Sequence, residues 1–404
     1  MKTHQVQQKT ERRISAALRL VFVAALLLGQ IALAFFLSTE LRQRAAIIYT
    51  VLELAAFGYA VRIYNRTDGA SYKFGWIFLV LTVPVVGLIL YFLWNGDRQQ
   101  KRLDLKKLPM PEEPEAQQAA HRIQMEKLRR KFPQWERLSV YLSRQGYLLY
   151  GDTETTYLPT GEMFLQDMLE KLEQAEHFIF LEFFIIAQGQ IWDRMEEIFR
   201  RKAAAGVEVK ILFDDFGSMM RFPAGQIEAL RESGVEVQVF NPVHHYVNRL
   251  YFNYRDHRKI VCIDGSTAYT GGANVADEYA NLTVRFGYWK DCGIRLDGPG
   301  AWGLTREFLH MWQRNGGQLM QERDYYRPHD HREAAGFCQP FVDGPDNNPI
   351  STAEDVFLHL INNARRSVHI TTPYLAIDEP MRQALCSAGD SGVDVRLLLP
   401  GIPD

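Results

Sequence analysis

His257 and Lys259 stand two residues apart in the stretch Asn253-Tyr254-Arg255-Asp256-His257-Arg258-Lys259-Ile260-Val261-Cys262-Ile263-Asp264-Gly265, and Gly271-Gly272-Ala273-Asn274 follows closely. An imidazole can attack phosphorus or carry a proton, and an ammonium can hold non-bridging oxygens and stabilise the charge that develops in transfer. The amide of Asn274 adds a further donor for phosphate oxygen. These residue types point to phosphodiester chemistry in which Lys259 and Asn274 take the place of a cation.

For the pair to act together, its members must share a face. Ile260 to Ile263 is a short β-branched run closed by Asp-Gly, and Ala268-Tyr269-Thr270 can return beside it, which predicts a β-hairpin. Side chains alternate along a strand, so positions 257 and 259 project together. Asp264 has the opposite parity to His257 and sits at the turn, where its expected part is to fix the hairpin rather than to touch phosphate. Gly271 and Gly272 are expected to let the backbone approach a ligand closely. His-x-Lys alone is weak, since such a pair is more often a solvated strand edge. The complete word is far more specific. His-x-Lys-x4-Asp-Gly followed by Gly-Gly-x-Asn resembles the HKD motif of the phospholipase D superfamily, and the surrounding residues, with Tyr288-Trp289-Lys290-Asp291, resemble its cardiolipin synthase branch. The resemblance implies His257, Lys259 and Asp264 as catalytic residues, with Asn274, Gly272, Arg255 and Glu182 binding substrate.

The elements that must position these residues belong to a chain of 404 residues with 47% hydrophobic content and a formal charge of −2. That length holds more than one domain, and that charge gives no global footprint for nucleic acid. Cys262, Cys292, Cys338 and Cys386 are widely spaced with no metal-ligand pattern, so they are expected to be reduced, mostly buried thiols in a cytosol-facing protein. A metal mechanism lacks its ligands in the sequence. Asp214-Asp215, the acidic pair after a strand, is expected to cap the following segment rather than to ligate.

Residues 1–96 read as a membrane anchor with apolar stretches at Ile14 to Leu37, Ala45 to Ile63 and Phe74 to Trp94, each near the ~20 residues needed to cross a bilayer core. Glu53 weakens the middle one. Basic residues before the first stretch and after the third ask for both ends to be cytoplasmic, which favours two spans plus an interfacial or re-entrant segment. Residues 97–135 form a basic, then proline- and acid-rich linker that leads into a helix from about Ala116 to Lys131.

From Thr160 the pattern is α/β. Helices from about Met163 to Gln174 and Trp192 to Ala205 alternate with strands Phe178 to Ile186 and Val207 to Phe213. Glu182 is the one charge within Phe178-Ile179-Phe180-Leu181-Glu182-Phe183-Phe184; it either orients the active-site histidine or salt-bridges at the strand end. Glu176 to Phe184 and Ala205 to Phe213 have counterparts in Arg366 to Tyr374 and Ser391 to Leu399, a weak internal repeat. The expected fold is α/β: N-terminal membrane helices, then a phospholipase D-like α/β/α sandwich domain at 136–335, then an incomplete second copy at 336–404. His244 and His245 are expected in a surface loop, His369 is expected to be a satisfied core histidine, and His310 fits a helix face.

The resemblance implies phosphatidyl transfer. Two phosphatidylglycerol molecules would be joined into cardiolipin with release of glycerol, through a phosphatidyl-histidine, with no cofactor, at the bacterial cell membrane. Phosphatidylglycerol and anionic membrane lipid are the expected partners, and nucleic acid is not. The His-x-Lys-x4-Asp word occurs once here, whereas the family pairs two such motifs; the second is expected from further C-terminal residues or from another chain, and the sequence reads as a fragment inactive alone. The alternatives are another HKD enzyme, a phospholipase D or phosphatidylserine synthase, and a catalytically incomplete membrane scaffold.

Overall fold

The computed structural model describes residues 42–66, 69–94, 113–243, 255–285, 287–319, 325–327, 334–344 and 351–401, together with Leu28, Gly29, Ala32 and Leu108. The chain divides into two compact units, residues 1–103 with 243–253, and residues 104–242 with 254–404.

In the first unit, helices α1 (Arg42–Tyr64), α2 (Ala70–Thr82) and α3 (Pro84–Trp94) pack around Ala56, Ile63, Val80 and Tyr91. Proline lacks an N–H and disfavours helical geometry in the residue before it. Val83 accordingly sits at φ −134°, ψ 71°, and the chain breaks there. The apolar stretch Phe74 to Trp94 is therefore divided between helices of 13 and 11 residues, each well short of the ~20 that span a bilayer. Helix α1 has 23 residues but carries Arg42, Arg44, Glu53 and Arg62. Among the described residues no helix is long and apolar enough to cross a membrane, so the expected spans are not found there. Ile14 to Leu37 lies almost wholly outside the described residues, as do His244, His245 and the start of the linker, residues 97–107 and 109–112.

The second unit opens with α4 (Glu115–Lys131) and α5 (Glu136–Arg144) and continues through β1 (Glu154–Leu158), α6 (Gly161–Leu172), β2 (Phe178–Phe183), α7 (Gln190–Ala204), β3 (Glu208–Asp214), α8 (Asp215–Ser218), α9 (Ala224–Glu232), β4 (Glu236–Phe240), β5 (Ile260–Ile263), β6 (Thr267–Gly271), β7 (Gly293–Asp297) and α10 (Gly300–Arg314). Its sheet has the order β1-β7-β6-β5-β2-β3-β4. Strands β2, β3 and β4 run parallel, with α7 and α9 as crossovers, while β5 pairs antiparallel with β2.

Alternation splits the sheet's side chains between two layers. Ile179, Leu181, Phe183, Ile211, Phe213 and Val261 meet α6 and α7 through Phe164, Met168, Trp192 and Phe199. On the other face Phe180 stacks on Phe308 of α10, with ring centroids 4.8 Å apart. This is the expected α/β/α sandwich. The expected hairpin is β5–β6, with Ile260 opposite Thr270.

The repeat is visible as α11 (Thr352–Asn363), β8 (Ser367–Thr371), α12 (Glu379–Asp390) and β9 (Asp394–Leu398), which reproduce α6-β2-α7-β3. Ser367 lies opposite Asp394 in a parallel pair, as Phe178 lies opposite Glu208. Strands β8 and β9 form a sheet of their own, in which Ser367, His369 and Thr371 of β8 and every β9 residue except Val395 are exposed. His369 is one of those exposed residues, so it is not a core histidine; its Nε2 meets Asp394 Oδ2 at 3.1 Å. His310 is on α10 as expected, with Nε2 3.1 Å from the Leu108 carbonyl. All four cysteines are free thiols, and Cys262 alone among them is fully buried.

Candidate active site

His257 and Lys259 lead directly into β5, which two long-range ties hold in place. Antiparallel pairing sets Ile260 opposite Glu182 and Val261 opposite Leu181, at the end of β2. Asp214, at the end of β3, accepts the Asp256 amide at 2.9 Å and lies 3.3 Å from Arg255 Nη1. The same carboxylate accepts the Phe216 amide and caps the short α8, as expected of a strand-end acid. Burial, opposed by Arg255 and the two amides, pushes Asp214 up to about 7.

The pair itself is a cation beside an imidazole. Lys259 Nζ lies 3.1 Å from His257 Nδ1 and donates to the His257 carbonyl at 2.7 Å. With the ammonium as donor, Nδ1 is the acceptor. Phe184, just past β2, sits against both: its ring centroid is 4.6 Å from that of His257 and 5.6 Å from Lys259 Nζ. Burial and then the Lys259 charge lower the His257 pKa to about 4, against a smaller opposing pull from Asp256. Burial lowers Lys259 to about 8, with Asp256 and Asp291 opposing. At neutral pH the ring is thus neutral and the amine still charged, the combination a phosphorus nucleophile and its oxyanion holder require. His257 opens onto a cavity of about 220 Å³ bordered by Arg255, Arg258, Met311 and Asp343.

The remaining sequence candidates are distributed around this pair. Glu182 does not orient His257. Strand register puts Glu182 on the α10 face with Arg258, whose Nε is 2.8 Å from Glu182 Oε1 and 3.0 Å from Asp256 Oδ1. Burial drives the Glu182 pKa well up against the pull of the Arg258 charge, while the contacts with Arg258 and Glu182 hold Asp256 low against its own burial. Arg255 spends its guanidinium on Asp214 and on the Asn241 carbonyl at 2.9 Å, which anchors the segment before His257.

Asp264 lies at the far end of β5, roughly 17 Å from Lys259 at strand rise. It adopts φ 51°, and its oxygens accept the amides of Glu176, His177 and Phe178 at 2.7–2.8 Å. The carboxylate ties the hairpin turn to the start of β2, as its parity implies. It shares the motif with the histidine in sequence and stands apart from it in space.

Asn274 is buried, accepting the Ile185 amide at 3.0 Å and donating to the Tyr279 hydroxyl at 2.7 Å. The glycines face protein rather than open space. A Cβ on Gly271 would come within 2.6 Å of the Cys292 carbonyl, and one on Gly272 within 2.4 Å of Asp291 Oδ1. Phe184 and Asp291 are the site residues that sequence reasoning left without a role. Phe184 was legible within the apolar run that the sequence assigns to β2; the approach of Asp291 to Gly272 follows from the β6–β7 pairing and has no local signal. Among the described residues no group of three or more His, Cys, Asp or Glu is placed to hold a metal ion.

The family description "Cardiolipin synthase, PLD-like domain" matches residues 168–284 and again 357–404, the two copies of the repeat, and "Phospholipase D-nuclease N-terminal" matches 54–95. Cardiolipin synthase 2 of Bacillus anthracis is 32% identical over 353 residues, covering 87% of this chain and 68% of that protein. The chain belongs to the cardiolipin synthase family of phospholipase D-like proteins. An uncharacterised Streptococcus mutans protein is 36% identical over 81% of this chain and 71% of its own length. The solved phosphatidylserine synthase of Haemophilus influenzae aligns at TM-score 0.45 and 14% identity, over 64% of this chain and 65% of its own. In this cardiolipin synthase-like frame the motif histidine and lysine are the two members that meet, and the motif aspartate holds the hairpin.

Proposed function

We propose that the protein transfers a phosphatidyl group between phosphatidylglycerol molecules, forming cardiolipin and releasing glycerol. The observation that carries this reading is a neutral, part-exposed imidazole held beside a buried ammonium, in a chain of the cardiolipin synthase family. In the resting arrangement Lys259 donates toward His257 Nδ1. A phosphodiester entering beside Phe184 offers its anionic oxygens to the ammonium instead, which frees a ring lone pair to attack phosphorus. The P–N bond forms, the P–O bond to glycerol breaks, and the departing alkoxide takes a proton from a second, protonated imidazole. The hydroxyl of a second phosphatidylglycerol then attacks phosphorus, returns its proton to that imidazole, and the P–N bond breaks.

One imidazole cannot be nucleophile and acid in the same step, so the second comes from another motif of this kind, in the same protein or in another chain. The first unit supplies the lipid contact in this reading. Ile47, Val51, Leu54, Phe57, Phe74 and Phe78 are all exposed on its helices, an apolar surface suited to a bilayer, with the break at Pro84 favouring an interfacial or re-entrant hairpin.

The test uses the complete protein in detergent with phosphatidylglycerol. Cardiolipin and free glycerol should appear in equal amounts, and mass spectrometry at neutral pH should find a phosphatidyl adduct on the peptide bearing His257. His257→Ala should remove both adduct and product. Undiminished turnover in that variant would overturn the assignment.

A further inference from the structure

Two segments are tied to the carboxyl end of β2, where Phe184 meets His257 and Lys259. Residues 214–222 follow β3, and Ser218 Oγ accepts the Ile186 amide at 3.0 Å and donates to the Phe184 carbonyl at 3.3 Å. Residues 275–285 hold the same stretch, with the Val275 amide donating to the Ile185 carbonyl at 3.2 Å and the Ala187 amide to the Val275 carbonyl at 2.9 Å. One carboxylate joins the two segments. Arg221 donates to both oxygens of Glu278, at 2.5 and 2.6 Å, and Arg285 Nη1 donates to Oε1 at 3.1 Å. The Glu278 side chain is buried and that of Arg285 is half exposed, so the anion lies beneath and the guanidiniums face outward. The residue before each arginine is apolar and exposed, Met220 at 58% and Val284 at 90%. Phe216 and Leu282, on the same segments, are exposed as well, and the Phe216 ring lies 5.4 Å from the guanidinium carbon of Arg255, two residues before His257.

We propose that the tips of these two segments form a docking surface for an anionic bilayer and bring the catalytic pair against phosphatidylglycerol headgroups. The proposal rests on the phosphatidyl-transfer reading for the identity of its partner. Apolar residues scattered singly over a surface need no explanation. Here they sit on two segments that a single buried carboxylate holds together beside His257 and Lys259, where a lipid substrate would have to leave its bilayer. Met220, Val284, Phe216 and Leu282 suit the boundary between headgroups and acyl chains. The charge fits the same partner. Two guanidiniums share one carboxylate, which leaves a positive charge facing outward, and a guanidinium matches a lipid phosphate with two parallel hydrogen bonds. The other acids of these segments are engaged within the fold: Asp214 and Asp215 are buried, and Asp277 accepts the amides of Gln190 and Ile191 at the start of α7. Glu278 is thus a staple beneath the surface, and the surface itself is apolar and cationic.

Quenching by lipid reads the docking without turnover. The complete protein, with the exposed Cys386 replaced by serine, is labelled with an environment-sensitive dye at Met220→Cys, at Val284→Cys or, at the opposite end of the sheet just before β4, at Glu232→Cys. Circular dichroism checks the fold, and mass spectrometry checks the labelled peptide. Each protein is reconstituted in vesicles of phosphatidylglycerol or of phosphatidylcholine that carry a small share of doxyl-labelled lipid. The dyes at 220 and 284 should lose at least about half of their emission in phosphatidylglycerol and clearly less in phosphatidylcholine, while the dye at 232 stays unquenched. The double variant Met220→Ser/Val284→Ser should lower cardiolipin formation from phosphatidylglycerol vesicles at least about fivefold more than formation from a short-chain phosphatidylglycerol dispersed as monomers, a split that a fault in folding would not give. Unquenched dyes at 220 and 284, which a protein partner on this surface would leave, overturn the proposal, and so does equal quenching in the two lipids or at all three positions. If wild-type protein makes no cardiolipin, the function reading fails, and the quenching series still decides the docking surface.

Discussion

Replacing Lys259 by methionine should stabilise the protein at neutral pH while abolishing transfer. Lys259 is 6% exposed, and its pKa falls from 10.5 to about 8, chiefly through burial. A folded pKa below the unfolded one means that the unfolded chain holds the proton more tightly. The penalty is therefore full below about pH 8, shrinks between 8 and 10.5, and vanishes above. At pH 7 a difference of roughly 2.5 units corresponds to about 3 kcal/mol held against the folded state. Methionine matches the stem and removes that charge. It also removes the donor to the His257 carbonyl, a loss of about 1 kcal/mol at a group that water can reach. The net expectation is a gain of about 1–3 kcal/mol at pH 7. Denaturant unfolding of both proteins in the same detergent should show this gap narrowing by about 2 kcal/mol between pH 7 and about pH 9.5. A Lys259→Met variant no more stable than wild type at pH 7, with a gap independent of pH, would refute the view of Lys259 as a charge held in a buried site for function.

Three further outcomes follow from the same geometry. Asp264→Ala should lower stability by on the order of 3 kcal/mol, since three backbone amides lose their acceptor, yet leave kcat per folded molecule nearly unchanged; a large kcat loss in fully folded protein would restore a chemical role. Lys259→Arg should move the alkaline limb of the rate profile from about pH 8 to beyond about pH 10, at a lower absolute rate, because a guanidinium keeps its proton there. Glu182→Gln should keep kcat per folded molecule, since Glu182 meets Arg258 on the sheet face away from His257 and the Gln carbonyl can still accept from that guanidinium; a severe loss of turnover would mean that the carboxylate itself is needed.

The sequence by itself determined whatever depends on near neighbours along the chain. Two-residue parity put His257 and Lys259 on one face, opposite parity gave Asp264 to the turn, hydrophobic periodicity found the first helices and strands of the α/β region within a few residues, and the internal repeat located the strands of its second copy. Pro84 was equally visible, although its effect, a break that shortens an apolar run below membrane length, depends on local backbone geometry that composition counts ignore. What only the tertiary structure decided were contacts between residues far apart in the chain. Glu182 lies on the face away from His257 because β2 pairs with β5 in a particular register. Gly272 makes room for a carboxylate rather than a ligand because β6 pairs with β7. The pKa values of about 4 and about 8 that make the pair chemically useful come from burial against Phe184 and the surrounding sheet, an environment no spacing encodes. A motif fixes which side chains leave the strand together; desolvation and distant charges, which fix what those side chains do, exist only once the sheet has closed around them.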